Sequence, residues 1–277
     1  MNWLQRNAGA FTVDKTVANK LVFAILKIVR RLLIRPGALG DFIVSLPAME
    51  CLRTQHLEVW APSAHLPLVQ FAHRTRAIPS TGLDIVGVKD PPDSLWESLR
   101  QFDSIVSWYG AARPEFREAV RDLPFTFFPA LPTEAKQHAV DFYLEQARSL
   151  APCASDGVPR IRCDASRENF IVIHPFSGSP RKNWPLERYR ELAAQLAAVA
   201  PVQWCRGKED PPLPGAVEID DLYELACWLA RAELYVGNDS GVTHLAAAAG
   251  TPVLAMFGPT DPAVWAPRGP EVRIGRF

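Results

Sequence analysis

Residues Leu234–Phe257 read LYVGNDSGVTHLAAAAGTPVLAMF, and the change of rhythm within them decides the fold. Leu234–Val236 is a short apolar run of strand type. Ser240–Ala249 opens on a hydroxyl residue and continues as an alanine-rich helix. Gly250-Thr251-Pro252 interrupts it, and Pro252–Phe257 is a second strand. The alternation extends upstream, with strands at Phe170–His174 and Val202–Cys205 and helices at Leu186–Val199 and Leu222–Arg231. It also fills the front half. There the strands are Leu32–Arg35, Leu57–Trp60 and Asp103–Trp108. The helices are Leu39–Arg53, Pro114–Asp122 and Thr133–Leu150, with Thr133 as the N-cap of the last. Repeated βα alternation predicts parallel sheets with helices on both faces. Ala151–Arg167, with Pro152, Gly157 and Pro159, reads as a linker between two such runs. The expected fold is therefore α/β: a helical extension over residues 1–30, then two Rossmann-like domains over 31–160 and 161–277.

Composition narrows the function. Thirty basic and thirty acidic side chains cancel over 277 residues, which argues against bulk nucleic acid as the partner. The five cysteines, Cys51, Cys153, Cys163, Cys205 and Cys227, form no C-x-x-C pair. They are expected as buried thiols in a reducing cytoplasm, with neither a disulfide framework nor a zinc site. Val17–Val29 is apolar but carries Lys20 and Lys27 and is too short to span a bilayer. It lacks a signal-peptide cleavage pattern. A helix packed on the protein body is the expectation, and a basic amphipathic segment on an anionic inner-membrane surface is the alternative.

Ligands of open parallel sheets bind at the carboxyl ends of strands, and three motifs sit there. In Arg35-Pro36-Gly37-Ala38-Leu39-Gly40-Asp41, Gly37 and Gly40 form a tight loop that a ligand can approach closely. Asp41, in the first turn of the following helix, reads either as a helix cap or as a general base. The glycines are three apart, so the dinucleotide fingerprint of an oxidoreductase is absent. In His174–Pro185 (HPFSGSPRKNWP), Ser177, Ser179 and Lys182 have the chemistry to hold phosphate oxygens; a solvated polar turn is the alternative. In Gly237-Asn238-Asp239-Ser240-Gly241-Val242-Thr243-His244, the backbone N–H groups of residues 240–243 open a helix, a natural site for a diphosphate. Asp239 also suits a cap, and His244 a core position. Arg113, Arg117 and Arg121 share a helix face with Glu115, Glu118 and Asp122, which reads as a salt-bridged solvated surface.

Together with Gly258-Pro259-Thr260-Asp261-Pro262, these motifs resemble glycosyltransferase family 9, the bacterial lipopolysaccharide heptosyltransferases and their relatives, over Leu32 to Pro267. The resemblance implies the GT-B architecture, with acceptor on the first domain and nucleotide-sugar donor on the second. It implies inverting, metal-independent transfer without a cofactor, using ADP-heptose as donor and a lipopolysaccharide-core or related glycolipid as acceptor. Asp41 matches the proposed general base. Ser177, Ser179 and Lys182 match positions near the donor phosphates; Asp239, Ser240, Gly241 and His244 match the donor loop, which here includes Val242 and Thr243. Phe176 stands where the family usually has Gly, and Val242-Thr243 where Pro-Met is common. The family usually continues with C-terminal elements that return to the first domain, a place the N-terminal helix is expected to take. A nucleotide-sugar epimerase and a non-catalytic nucleotide-sugar or carbohydrate binder of the same fold are the competing readings.

Overall fold

The computed structural model describes residues 28–132 and 137–277. The expected helix at 17–29, all but its last two residues, and the expected N-cap Thr133 lie outside them.

Each half is a five-stranded, wholly parallel sheet. The first contains β1 (Arg30–Ile34), β2 (His56–Ala61), β3 (Arg74–Ala77), β4 (Ser104–Ser107) and β5 (Phe125–Phe127), in the order β3-β2-β1-β4-β5. The second contains β6 (Glu168–His174), β7 (Val202–Trp204), β8 (Ala232–Asn238), β9 (Val253–Phe257) and β10 (Val272–Arg276), in the order β10-β9-β8-β6-β7. The direction of winding reverses between β1 and β4 in one sheet and between β6 and β8 in the other. A crevice opens at such a reversal, outside the carboxyl ends of the strands. The loops that follow β1, β6 and β8 carry the three motifs.

The helices are α1 (Leu39–Cys51), α2 (Asp93–Leu99), α3 (Pro114–Ala119), α4 (Ala139–Arg148), α5 (Leu186–Leu196), α6 (Leu222–Ala230), α7 (Gly241–Ala248) and α8 (Pro262–Trp265). The expected 133–150 helix starts at Ala139, because His138 caps it by accepting the Val140 N–H on its own ring.

Strands covered on both faces are apolar throughout. Leu32 and Ile34 face a cluster with Val86 and Phe116, whereas Leu33 faces α1 and α4. On the second sheet, Ile173 and Val236 pack under Tyr189 of α5, while Val172, Tyr235 and Ala255 face α6 and α7. One continuous apolar cluster joins the two inner faces through α1, α4 and α7. The halves thus share a core on one side of the cleft.

The expectation that every cysteine is a free thiol is overturned at two positions. Cys51, at the end of α1, is bonded to Cys153 across a sequence separation of 102 residues. The linker folds back onto α1, a long-range contact with no signature in cysteine spacing. Cys163, Cys205 and Cys227 are free.

Candidate active site

The first wall of the cleft is the turn between β1 and α1. Gly37 adopts φ +111°, a conformation that favours glycine. Ala38 is the N-cap of α1 and makes no side-chain cap, so the N-cap reading of Asp41 does not hold. Asp41 lies in the first turn, half-buried, where the helix dipole favours a negative charge. Burial pushes its carboxyl above the usual carboxylate range, and Asp239 adds to this. Arg35, the Ala38 N–H and Lys182 oppose it. A carboxylate shifted this way is nearer the basicity that proton abstraction needs at neutral pH.

The second wall is built on β8. Asn238, wholly buried, accepts from the Trp184 N–H and the Tyr189 hydroxyl, both at 2.8 Å, and donates to the Pro175 carbonyl at 2.8 Å. It thereby holds the 175–184 loop against the strand. Asp239 accepts from Lys182 Nζ at 2.8 Å and from the Thr260 hydroxyl at 2.7 Å. It is an ion-pair anchor; the cap of α7 is Ser240, whose hydroxyl accepts the Thr243 N–H. Among the described residues, the N–H groups of Gly241 and Val242 meet no acceptor. They are the orphan donors of a helix N-terminus and are free for an anion.

The two walls touch at their glycines. A Cβ on Gly241 would lie 2.8 Å from Leu39 Cβ and 3.1 Å from the Gly40 nitrogen. Only glycine lets the N-termini of α1 and α7 approach so closely. His244, one turn into α7, faces Gly40. Burial pulls its imidazole down to about 4, only partly opposed by Asp239, so it is neutral at physiological pH.

Between the walls lies a cleft of about 320 Å³. Of the residues expected at the site, Gly40, Asp41, Ser179, Lys182, Asp239, Ser240, Gly241 and His244 line it. Four others do not. Gly37 shapes the turn behind Asp41. Ser177 is engaged within its own loop, bonded to the Ser179 carbonyl at 2.8 Å and to Asn183 Oδ1 at 2.7 Å. Val242 packs its side chain on the apolar cluster. Thr243 is fully buried beneath Ser240, bonded to the Asn238 carbonyl and to Tyr235.

Trp265 of α8 also lines the cleft and was not foreseen. The chain just beyond it is fastened to the first half. His138 Nε2 donates to the Ala266 carbonyl at 2.9 Å, since its Nδ1 already accepts from Val140. Arg268 forks onto Asp141 at 2.8 and 2.5 Å, holding that carboxyl below its ordinary range. No residue spacing marks a contact between 138–141 and 266–268.

Residues 220–276 match the family model described as glycosyltransferase family 9 (heptosyltransferase). Lipopolysaccharide heptosyltransferase 3 of Escherichia coli (strain K12) is 28% identical over 144 residues, covering 46% of this chain and 42% of its own length. Lipopolysaccharide heptosyltransferase 2 of the same strain is 31% identical over 123 residues, 35% of this chain and 33% of that one. Among solved structures, the E. coli ADP-heptose lps heptosyltransferase II superposes with a TM-score of 0.68 at 20% identity, covering 90% of this chain and 91% of that one. The chain is thus similar to glycosyltransferase family 9 over residues 220–276 and shares its fold with a heptosyltransferase structure. Its two parallel-sheet halves are those of the GT-B architecture. The matched segments span less than half the length of the curated relatives.

Proposed function

We propose that the chain is an inverting glycosyltransferase that moves a sugar, heptose from ADP-heptose, to a lipopolysaccharide-core or related glycolipid acceptor. One observation carries this reading. A basic carboxylate, Asp41, and an anion-binding helix end with Lys182 beside it face the same cleft from opposite halves.

In this reading Asp41 takes the proton from an acceptor hydroxyl while that oxygen attacks the anomeric carbon. The bond from that carbon to the nucleoside diphosphate breaks on the opposite face, and configuration inverts. Charge growing on the departing diphosphate is met by the N–H groups of Gly241 and Val242 and by Lys182. Fixed donors of this kind favour the transition state because they need not reorient during the reaction. Neutral His244 and Ser179 complete the pocket as hydrogen-bonding groups. No described helix is long and apolar enough to cross a membrane.

The test is incubation of the full chain with ADP-heptose and a Kdo–lipid A acceptor, followed by mass spectrometry of the lipid and measurement of ADP released. A heptose added to the lipid, with inverted anomeric configuration, is the expected result. An isomerised donor formed without acceptor indicates an epimerase. Binding of ADP-heptose with no turnover under any acceptor indicates a non-catalytic binder.

A further inference from the structure

Arg35 ends the first strand and is 1% exposed. Among the described residues it has no carboxylate within ion-pair distance. Its guanidinium donates only to neutral groups: Ser45 Oγ at 3.0 Å, the Pro36 carbonyl at 3.0 Å, the Asp41 carbonyl at 2.7 Å and the Tyr143 hydroxyl at 2.8 Å. It also lies 4.7 Å from the Tyr143 ring centroid. Burying a cation without a counter-ion is costly, and its own protonation is weakened by that burial. The nearby carboxylate is Asp41, across Gly37. A Cβ placed on Gly37 would lie 3.6 Å from Arg35 Nη1 and 3.7 Å from Asp41 Oδ2.

We infer that Arg35 is a positioning residue for Asp41: its buried, unpaired charge keeps the Asp41 carboxyl ionised, and its four hydrogen bonds clamp the turn that aims it. The inference rests on the reading of Asp41 as general base. Of the charged and titratable groups around Asp41, Lys182 is bound to Asp239, which itself opposes ionisation. His244 is neutral, and burial pushes the Tyr143 hydroxyl up to about 12, so it is neutral too. Arg35 is therefore the cation whose charge is not already engaged by a carboxylate. Burial alone drives Asp41 toward protonation, and Arg35 heads the influences that resist it.

The experiment uses the full chain as wild type, Arg35→Met and Arg35→Lys. Two quantities are read. One is the titration of the Asp41 carboxyl by carbon-13 NMR of aspartate-labelled protein, assigned with Asp41→Asn. The other is the pH profile of kcat with ADP-heptose and Kdo–lipid A. In Arg35→Met the carboxyl titrates at higher pH, and the acid limb of kcat moves the same way. In Arg35→Lys both stay near wild type although kcat falls, because charge is kept and the forked clamp is lost. An unmoved carboxyl in folded Arg35→Met overturns the inference. Should Arg35→Met not fold, a carboxyl displaced upward in Arg35→Lys does so. A carboxyl that moves while the kcat limb does not leaves Arg35 in place and removes Asp41 as the base, which separates the two failures.

Discussion

The two helix N-termini that meet at the cleft handle their aspartates in opposite ways. At α1, Asp41 is half-buried, has no cation within ion-pair distance among the described residues and is pushed up by burial. At α7, Asp239 is 6% exposed and fastened by Lys182 and Thr260, while Ser240 caps the helix. A carboxylate left without an ion pair beside a cleft keeps its basicity available; one bonded to a lysine holds that lysine in place. On the proposed reading, the contrast places chemistry on the first half and binding on the second.

The largest effect that breaks the comparison comes from exchanging acid for amide. Asp41→Asn is expected to cut transfer by about 10²–10⁴-fold while stability is unchanged or higher, since burial penalises the charge it removes. Asp239→Asn is expected to lower the unfolding free energy by about 1–3 kcal/mol, less than for a fully enclosed pair because Lys182 is a third exposed. Initial rates and urea melts of both variants, side by side, check this. Equal rate losses without a stability difference would erase the distinction.

Acid should expose the next difference. His244 has its folded pKa depressed to about 4 from 6.5, so the unfolded chain binds the proton more readily. Its contribution is intact above pH 6.5 and is lost as pH falls toward 4. Between pH 7 and pH 5 that amounts to about 2 kcal/mol. Unfolding free energy measured at both pH values should fall less steeply in His244→Gln than in wild type, with His65, depressed in the same direction to about 4, supplying part of the remaining slope.

Smaller still is the effect of one methyl group on each side of the contact. Gly241→Ala drives a Cβ into Leu39 and is expected to cost about 1–3 kcal/mol. Gly40→Ala meets His244 Cδ2 at 3.4 Å, ordinary contact, and should be neutral or stabilising by up to about 1 kcal/mol. Thermal melts of the pair would show whether the tight side of the contact belongs to α7. Least of all, Ser177→Ala removes a loop bond and should weaken ADP binding by only about 3–10-fold, equivalent to one hydrogen bond. Calorimetric titration with ADP reads it.

The strand-to-helix junctions were legible because each is local: an apolar run, a glycine or hydroxyl turn, then a helical rhythm. Edge strands were not. Arg74–Ala77 reads RTRA, and Arg76 sits there because it pairs with Glu58 on β2 at 2.9 Å, a partner that alternation cannot announce. Phe125–Phe127 is three residues long. Ser177 was expected to hold phosphate by its hydroxyl and Thr243 by its backbone N–H, yet the Ser177 hydroxyl is engaged within its loop and the Thr243 N–H is taken by the Ser240 hydroxyl.

By itself the chain's order of residues determined the α/β alternation, the three strand-to-helix loops and the place of Asp41 just after Gly37 and Gly40. Tertiary structure alone decided that Arg35 is buried without an ion pair among the described residues, that Gly241 must admit Leu39, that Cys51 reaches Cys153, and that Trp265 lines the cleft. The reason is one of range. Backbone rhythm and turn chemistry act over a few residues, whereas burial, ion pairing and close approach depend on segments a hundred or more positions apart arriving at the same place.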